Sequence, residues 1–228
     1  MKTIVYIDGY NFYFGLLKNT PYKWLDVVAL VKHICHIQNP EFDVIAVKFF
    51  TAPIITRVSS KGDKALQAQN SYLKALTARY PDSLEIIKGY YIFEKGYLPR
   101  YNKPVVKEDR VAVWRLEEKQ TDVNIALHLY RDVSFKKCEQ VVLVSSDSDL
   151  EPALHFCKQD YPTLQTGLIL PRPKPLQTEA AKQRPENKTL SNLSDWTRAY
   201  VLEEELLQFQ FPEKVPTHKK PAIKPDYW

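Results

Sequence analysis

Apolar and polar positions along this chain follow two rhythms. Short unbroken runs rich in β-branched residues read as buried strands, and apolar residues three and four apart read as helices. Lys2 to Asp8 is the first run, and it breaks off in Asp8-Gly9-Tyr10-Asn11. Gly9 suits a sharp turn there, and Asn11 suits a helix cap. Leu25, Val28, Val31 and Ile34 then predict a helix over 24–37, and a strand over 42–52 stops at Pro53. Ala65, Ala68, Tyr72 and Leu76 mark a helix over 60–80, whose other face carries Lys61, Lys64, Gln67, Lys74 and Arg79. A strand is expected over 84–93.

The next stretch, 94–115, interleaves Tyr97, Arg100, Tyr101, Lys103, Lys107, Arg110, Trp114 and Arg115. It reads as an irregular hairpin over one edge of a sheet. Bases mixed with aromatics suit nucleic-acid backbones and unstacked bases, and they equally suit an ordinary solvated hairpin. After Glu117-Glu118-Lys119-Gln120-Thr121-Asp122 a helix begins, with Val123, Ala126, Leu127 and Tyr130 as its apolar face and Thr121 able to cap it. The run Val141 to Ser146 is a buried strand that ends in Ser145-Ser146-Asp147-Ser148-Asp149 before a helix over 150–158. A last strand covers 164–170.

Beyond it, 172–189 is polar and proline-containing and reads as a flexible loop. Residues 191–207 regain apolar content and are expected to dock back on the domain. Residues 213–228 form a basic, proline-rich tail, expected to stay disordered unless bound. Strands alternating with helices predict an α/β protein: one domain over 1–212 with a mainly parallel sheet and helices on both faces.

Composition narrows the class. The 228 residues are 44% hydrophobic and 26% charged, ordinary for a globular protein. No run is long enough to span a membrane, and the N-terminus lacks the pattern of a secretory signal. A cytoplasmic protein with no membrane partner is expected. Cys35, Cys138 and Cys157 are far apart, which signals neither zinc nor disulfides. The net charge of +5 is compatible with a polyanionic partner. Between Lys214 and Lys224 there are four lysines, one histidine and no acid.

The chemistry lies in the acids. Asp8 closes one strand, Asp147 and Asp149 close another, and Asp122 opens a helix. Strand ends on one edge of an open α/β sheet meet where ligands bind. Taken alone, Asp122 is explained by the helix dipole. Taken together, four carboxylates repel one another unless a cation neutralises them. Oxygen ligands without Cys or His suit Mg²⁺ or Mn²⁺. Asn11 and Ser146 add neutral polar groups, and Lys119 is within reach of a phosphate.

Three motifs, Asp8-Gly9-Tyr10-Asn11, Glu118-Lys119-Gln120-Thr121-Asp122 and Ser145-Ser146-Asp147-Ser148-Asp149, resemble in order and spacing those of the NYN family of PIN-like nucleases. The segment from Asp195 to Pro212 is similar to the closing part of bacterial NYN proteins. The resemblance implies a PIN-like three-layer α/β/α sandwich, a divalent cation and cleavage of RNA, with DNA the other candidate polymer. It also implies Asp8, Asp122 and Asp147 as the core metal-binding acids, Asp149 as a contributor, and Asn11 as the group orienting substrate or water. Lys119, Ser146, Asn11, Arg100, Lys107 and Arg110 are the candidate substrate contacts. Ser146 and Gln120 depart from the family, where glycine is common. A non-catalytic module binding RNA or protein, or other chemistry on the same sheet, including the oxidative activity of some relatives, stays open. So does homo-oligomerisation.

Overall fold

The computed structural model describes residues 1–175 and 188–228. The loop expected over 172–189 falls mostly outside them. Six parallel strands form the central sheet, in the order β3-β2-β1-β6-β7-β8. They are β1 (Lys2–Asp8), β2 (Asp43–Thr51), β3 (Leu84–Lys88), β6 (Gln140–Val144), β7 (Gln165–Ile169) and β8 (Trp196–Arg198). β1 and β6 are the centre and are buried almost throughout, which is why they read as continuous apolar runs.

Side chains alternate across the sheet, and β1 splits accordingly. Val5 and Ile7 join the core under helices α2 (Val27–Gln38) and α3 (Asp63–Arg79). Ile4 and Tyr6 join the core under α4 (Thr121–Ser134) and α5 (Glu151–Asp160). The result is the expected α/β/α sandwich. All three cysteines are buried free thiols. No described helix is long and apolar enough to cross a membrane.

Several expectations are corrected. Asn11 does not cap α1 (Gly9–Phe12): it lies inside the helix, and Asp8 caps it by accepting the Asn11 amide at 2.9 Å. Gly9 is required by packing, because a Cβ there would stand 2.5 Å from the Phe50 carbonyl oxygen. Thr121 is the first residue of α4 rather than its cap, a place held by Gln120 in the left-handed region at φ 76°. The buried face of α4 is Ile125, Leu129 and Val133, while Val123 and Leu127 are about 60% exposed. Two apolar stripes run along this helix, and only the one through Ile125, Leu129 and Val133 meets the sheet.

The strand expected over 84–93 divides at Gly89. β3 stays in the parallel sheet, and β4 (Tyr90–Pro99) turns away to pair with β5 (Arg110–Lys119). Gly89 is pressed against the Lys119 carbonyl and the Thr121 hydroxyl, 2.5 and 2.7 Å from where a Cβ would stand. The β4–β5 hairpin is regular rather than irregular, an unbroken antiparallel ladder from Tyr90↔Lys119 to Pro99↔Arg110.

The basic tail is folded, against expectation. β9 (Lys214–Val215) pairs with β10 (Ala222–Ile223), burying Val215 and Ala222. Trp228 packs on Trp24 and Tyr72, with ring centroids 6.1 and 5.9 Å apart. Few apolar residues suffice because they enter a core already built by α2 and α3.

Candidate metal centre

The strand order reverses direction between β1 and β6, and the crevice beyond their carboxyl ends is where such sheets bind ligands. Each strand delivers an acid there. Asp8 is the last residue of β1. Asp147, three residues past β6, caps the short 3-10 turn Ser148–Leu150. The third acid, Asp122, comes from the first turn of α4, which packs across β1 and β2. One carboxylate oxygen from each of Asp8, Asp122 and Asp147 lies within 4.8 Å of the others.

Neighbouring polar groups hold this arrangement. Asp8 Oδ1 accepts the Asn11 amide, and its Oδ2 accepts the Ser145 hydroxyl, both at 2.9 Å. Ser145 Oγ in turn accepts the Asp147 amide at 3.1 Å. Asn11 Oδ1 accepts both the amide and the hydroxyl of Ser146, at 3.1 and 2.7 Å. Ser146 therefore fixes the side chain of Asn11.

Charge is left uncompensated. Among the described residues, no lysine or arginine forms an ion pair with any of the three aspartates. Burial pushes the Asp8 carboxyl up to about 6, and Asp122 and Glu118 add to the effect, while the bonds from Asn11 and Ser145 oppose it. Asp122 is also raised, by burial and then by Asp147, Glu118 and Asp149. A divalent cation would favour all three ionised forms at once. The donor set, carboxylate oxygens without sulfur or imidazole, fits a hard cation of the Mg²⁺ or Mn²⁺ kind.

The remaining candidates are arranged differently. Asp149 stands outside the triad, exposed, with its amide donating to Asp147 Oδ1 at 3.0 Å. Lys119 forms an ion pair with Glu117, which also holds Arg115. Arg100 pairs with Asp109 at 3.2 Å, at the far end of the hairpin with Lys107 and Arg110. At about 3.4 Å per residue, that end is roughly 30 Å along the ladder from the base. Glu118, at the base, is a further acid that the apolar pattern of the sequence does not single out. It accepts the Thr121 hydroxyl and, at 3.4 Å, the Tyr91 hydroxyl, and it acts electrostatically on both Asp8 and Asp122. Its one sequence signal is its place at the head of the second motif.

Three comparisons with known proteins found similar chains. The family model of the NYN domain matches residues 2–183. The 6-hydroxy-3-succinoylpyridine 3-monooxygenase HspA of Pseudomonas putida (strain DSM 28022 / S16) is 34% identical over 245 residues, an alignment covering 100% of this chain and 75% of that protein. Among solved structures, VPA0982 of Vibrio parahaemolyticus RIMD 2210633, a protein of unknown function, matches with a TM-score of 0.46 and 14% identity, over 89% of this chain and 94% of that one.

Proposed function

Because the chain belongs to the NYN domain family of PIN-like nucleases, we propose that it is a metal-dependent ribonuclease acting at Asp8, Asp122 and Asp147. The observation that carries this reading is the convergence of three carboxylates at the β1/β6 crevice, with no lysine or arginine paired to them among the described residues. These acids would hold Mg²⁺ or Mn²⁺, which supplies water activation and charge neutralisation in phosphodiester displacement. Asn11, clamped by Ser146, leaves its amide nitrogen uncommitted among the described residues and can orient a phosphate or the attacking water. Asp149 and Glu118 surround the triad with further negative charge, which strengthens its hold on a cation and disfavours a phosphate in the cation's absence.

The test is incubation of purified protein with single-stranded RNA in Mg²⁺, Mn²⁺ or EDTA, beside the Asp147→Asn and Asp122→Asn variants. Cleavage that needs the ion and both aspartates is expected. RNA left intact with either ion, or cut equally well by Asp147→Asn, would sink the reading. RNA bound without turnover would instead indicate a binding module.

The identity with HspA across the full chain favours a second reading, oxygenation of a hydroxypyridine. Oxygen uptake with 6-hydroxy-3-succinoylpyridine tests it. The all-carboxylate donor set ranks it second, since the common non-haem iron oxygenase site combines two histidines with one carboxylate.

A further inference from the structure

The two faces of the β4–β5 hairpin differ in kind. Side chains alternate across the ladder, so Tyr91, Phe93, Lys95 and Tyr97 share one face with Arg110 and Trp114. The opposite face holds Glu94, Arg115, Glu117 and Lys119, where Glu117 is tied to both of its basic neighbours. On the first face the basic residues stand among rings. Lys95 Nζ lies 5.1 Å from the centroid of Tyr97. Phe93 and Trp114 are stacked, centroids 4.7 Å apart at 18°. Arg57 reaches in from the body of the protein, its guanidinium carbon 4.6 Å from the centroid of Phe93 and its Nη2 donating to the Phe93 carbonyl.

This face begins at the acids. Tyr91 and Glu118 form its base: Glu118 accepts the Thr121 hydroxyl and, at 3.4 Å, the Tyr91 hydroxyl, and β5 runs straight into α4, whose first turn carries Asp122. Trp114, further out, is 71% exposed, and Tyr97 is 54% exposed. Burial in this chain's own core therefore does not explain these rings.

From this continuity we infer that the aromatic face of the hairpin is a track for single-stranded nucleic acid leading out of the metal centre. Bases stack on Trp114 and Tyr97, and Lys95, Arg57 and Arg110 neutralise phosphates. Stacking of this kind accepts any base and requires that bases be unpaired. From Tyr91 to Tyr97 the track is roughly 20 Å long at 3.3–3.4 Å per residue. The proposal rests on the nuclease reading for the identity of the polymer, but it concerns binding and not cleavage.

Trp114 provides its own reporter. Trp24 is fully buried, and Trp196 and Trp228 are half-buried. The experiment titrates the full chain, in EDTA to prevent turnover, with an oligouridylate of about 12 nucleotides and with a duplex of equal length. The expected result is saturable quenching of tryptophan emission by the single strand, weak or absent with the duplex, and lost in Trp114→Phe. Trp114→Ala is expected to weaken binding roughly 5- to 150-fold. Because the side chain is exposed, far-UV circular dichroism should be unchanged.

Single-stranded RNA that binds without a Trp114-dependent signal, or is cut with unchanged KM by Trp114→Ala, overturns the track and leaves the nuclease reading intact. Quenching without metal-dependent cleavage supports the track and sinks the nuclease reading. Equal quenching by duplex overturns it. So does sedimentation showing a dimer that Trp114→Ala dissociates without changing RNA affinity.

Discussion

Helix α4 carries an aspartate near each end, and the two have opposite surroundings. Asp132, in the last turn, is buried against the sheet with its charges matched. Its Oδ2 meets Lys48 Nζ at 2.5 Å and accepts the Tyr6 hydroxyl at 2.9 Å, and its Oδ1 meets Lys137 Nζ at 2.9 Å. Lys48 also donates to His128 Nδ1 at 3.2 Å, a bond that suits neutral imidazole and accords with a His128 pKa lowered by burial and by Lys48. Asp122, in the first turn, faces Asp8 and Asp147, and among the described residues no lysine or arginine pairs with it. Burial tends to raise both carboxyls. At Asp132 the bonds from Lys48, Lys137 and Tyr6 outweigh it and hold the carboxyl below its ordinary range, whereas at Asp122 the neighbouring acids add to it. The same residue type on one helix thus serves the fold where it is neutralised and joins an acidic cluster that could hold a metal where it is not.

The contrast can be broken from either end. Asp132→Asn leaves the buried Lys48 against a neutral amide, with the exposed Glu85 at 3.4 Å as its remaining ion partner, and should cost about 3–5 kcal/mol, read from urea unfolding. A loss under 1 kcal/mol would mean that the network does little for the fold. At the other end, Asp147→Asn should lower RNA cleavage at least about 100-fold, because even residues that only support metal ligands are worth 10–100-fold. Its melting temperature should not fall, since a repelling charge has been removed. A melting loss matching that of Asp132→Asn would show that the triad is structural after all.

Acid should separate the two ends as well. A carboxyl held below its ordinary pKa stabilises the fold above the unfolded value, near 3.9, and loses that contribution as pH falls through the folded value. Wild-type protein should therefore lose stability below about pH 4 in a component that Asp132→Asn lacks. Parallel acid profiles for the two proteins would refute the assignment. The smallest effect is expected at Gln120. A side chain in the left-handed region costs about 1–2 kcal/mol, and glycine gives back roughly 0.5–1 kcal/mol through backbone entropy. Gln120→Gly should then stabilise by about 0.5–1 kcal/mol in thermal melts, and a destabilised variant would show that the Gln120 side chain makes contacts that matter.

What the sequence made legible follows physical range. Asp8 and Asp147 could be found because each ends an apolar run, and strand ends on one sheet edge converge. Asp122 joined them through motif order. Glu118 was not legible, because its approach to Asp8 depends on how Gly89 and the β5–α4 turn pack together. The face of α4 was misassigned because Val123 and Leu127 fit a helical stripe as well as Ile125 and Leu129 do. The tail was misread because its order depends on Trp228 meeting Trp24, two residues at opposite ends of the chain. The hairpin's start was misplaced because Tyr90–Phe93 continues the apolar pattern of β3, and only the Gly89 contact shows where the chain leaves the sheet.

Calorimetric titration of metal-stripped protein with Mn²⁺, for the wild type, Asp122→Asn and Asp132→Asn, tests the central claim most directly. The account predicts saturable binding by the wild type and by folded Asp132→Asn, lost in Asp122→Asn. It also predicts a rise in wild-type stability of about 2.7 kcal/mol at one hundred times the dissociation constant. Undiminished binding by Asp122→Asn, or no binding by the wild type, would contradict the claim that these three aspartates form a metal centre.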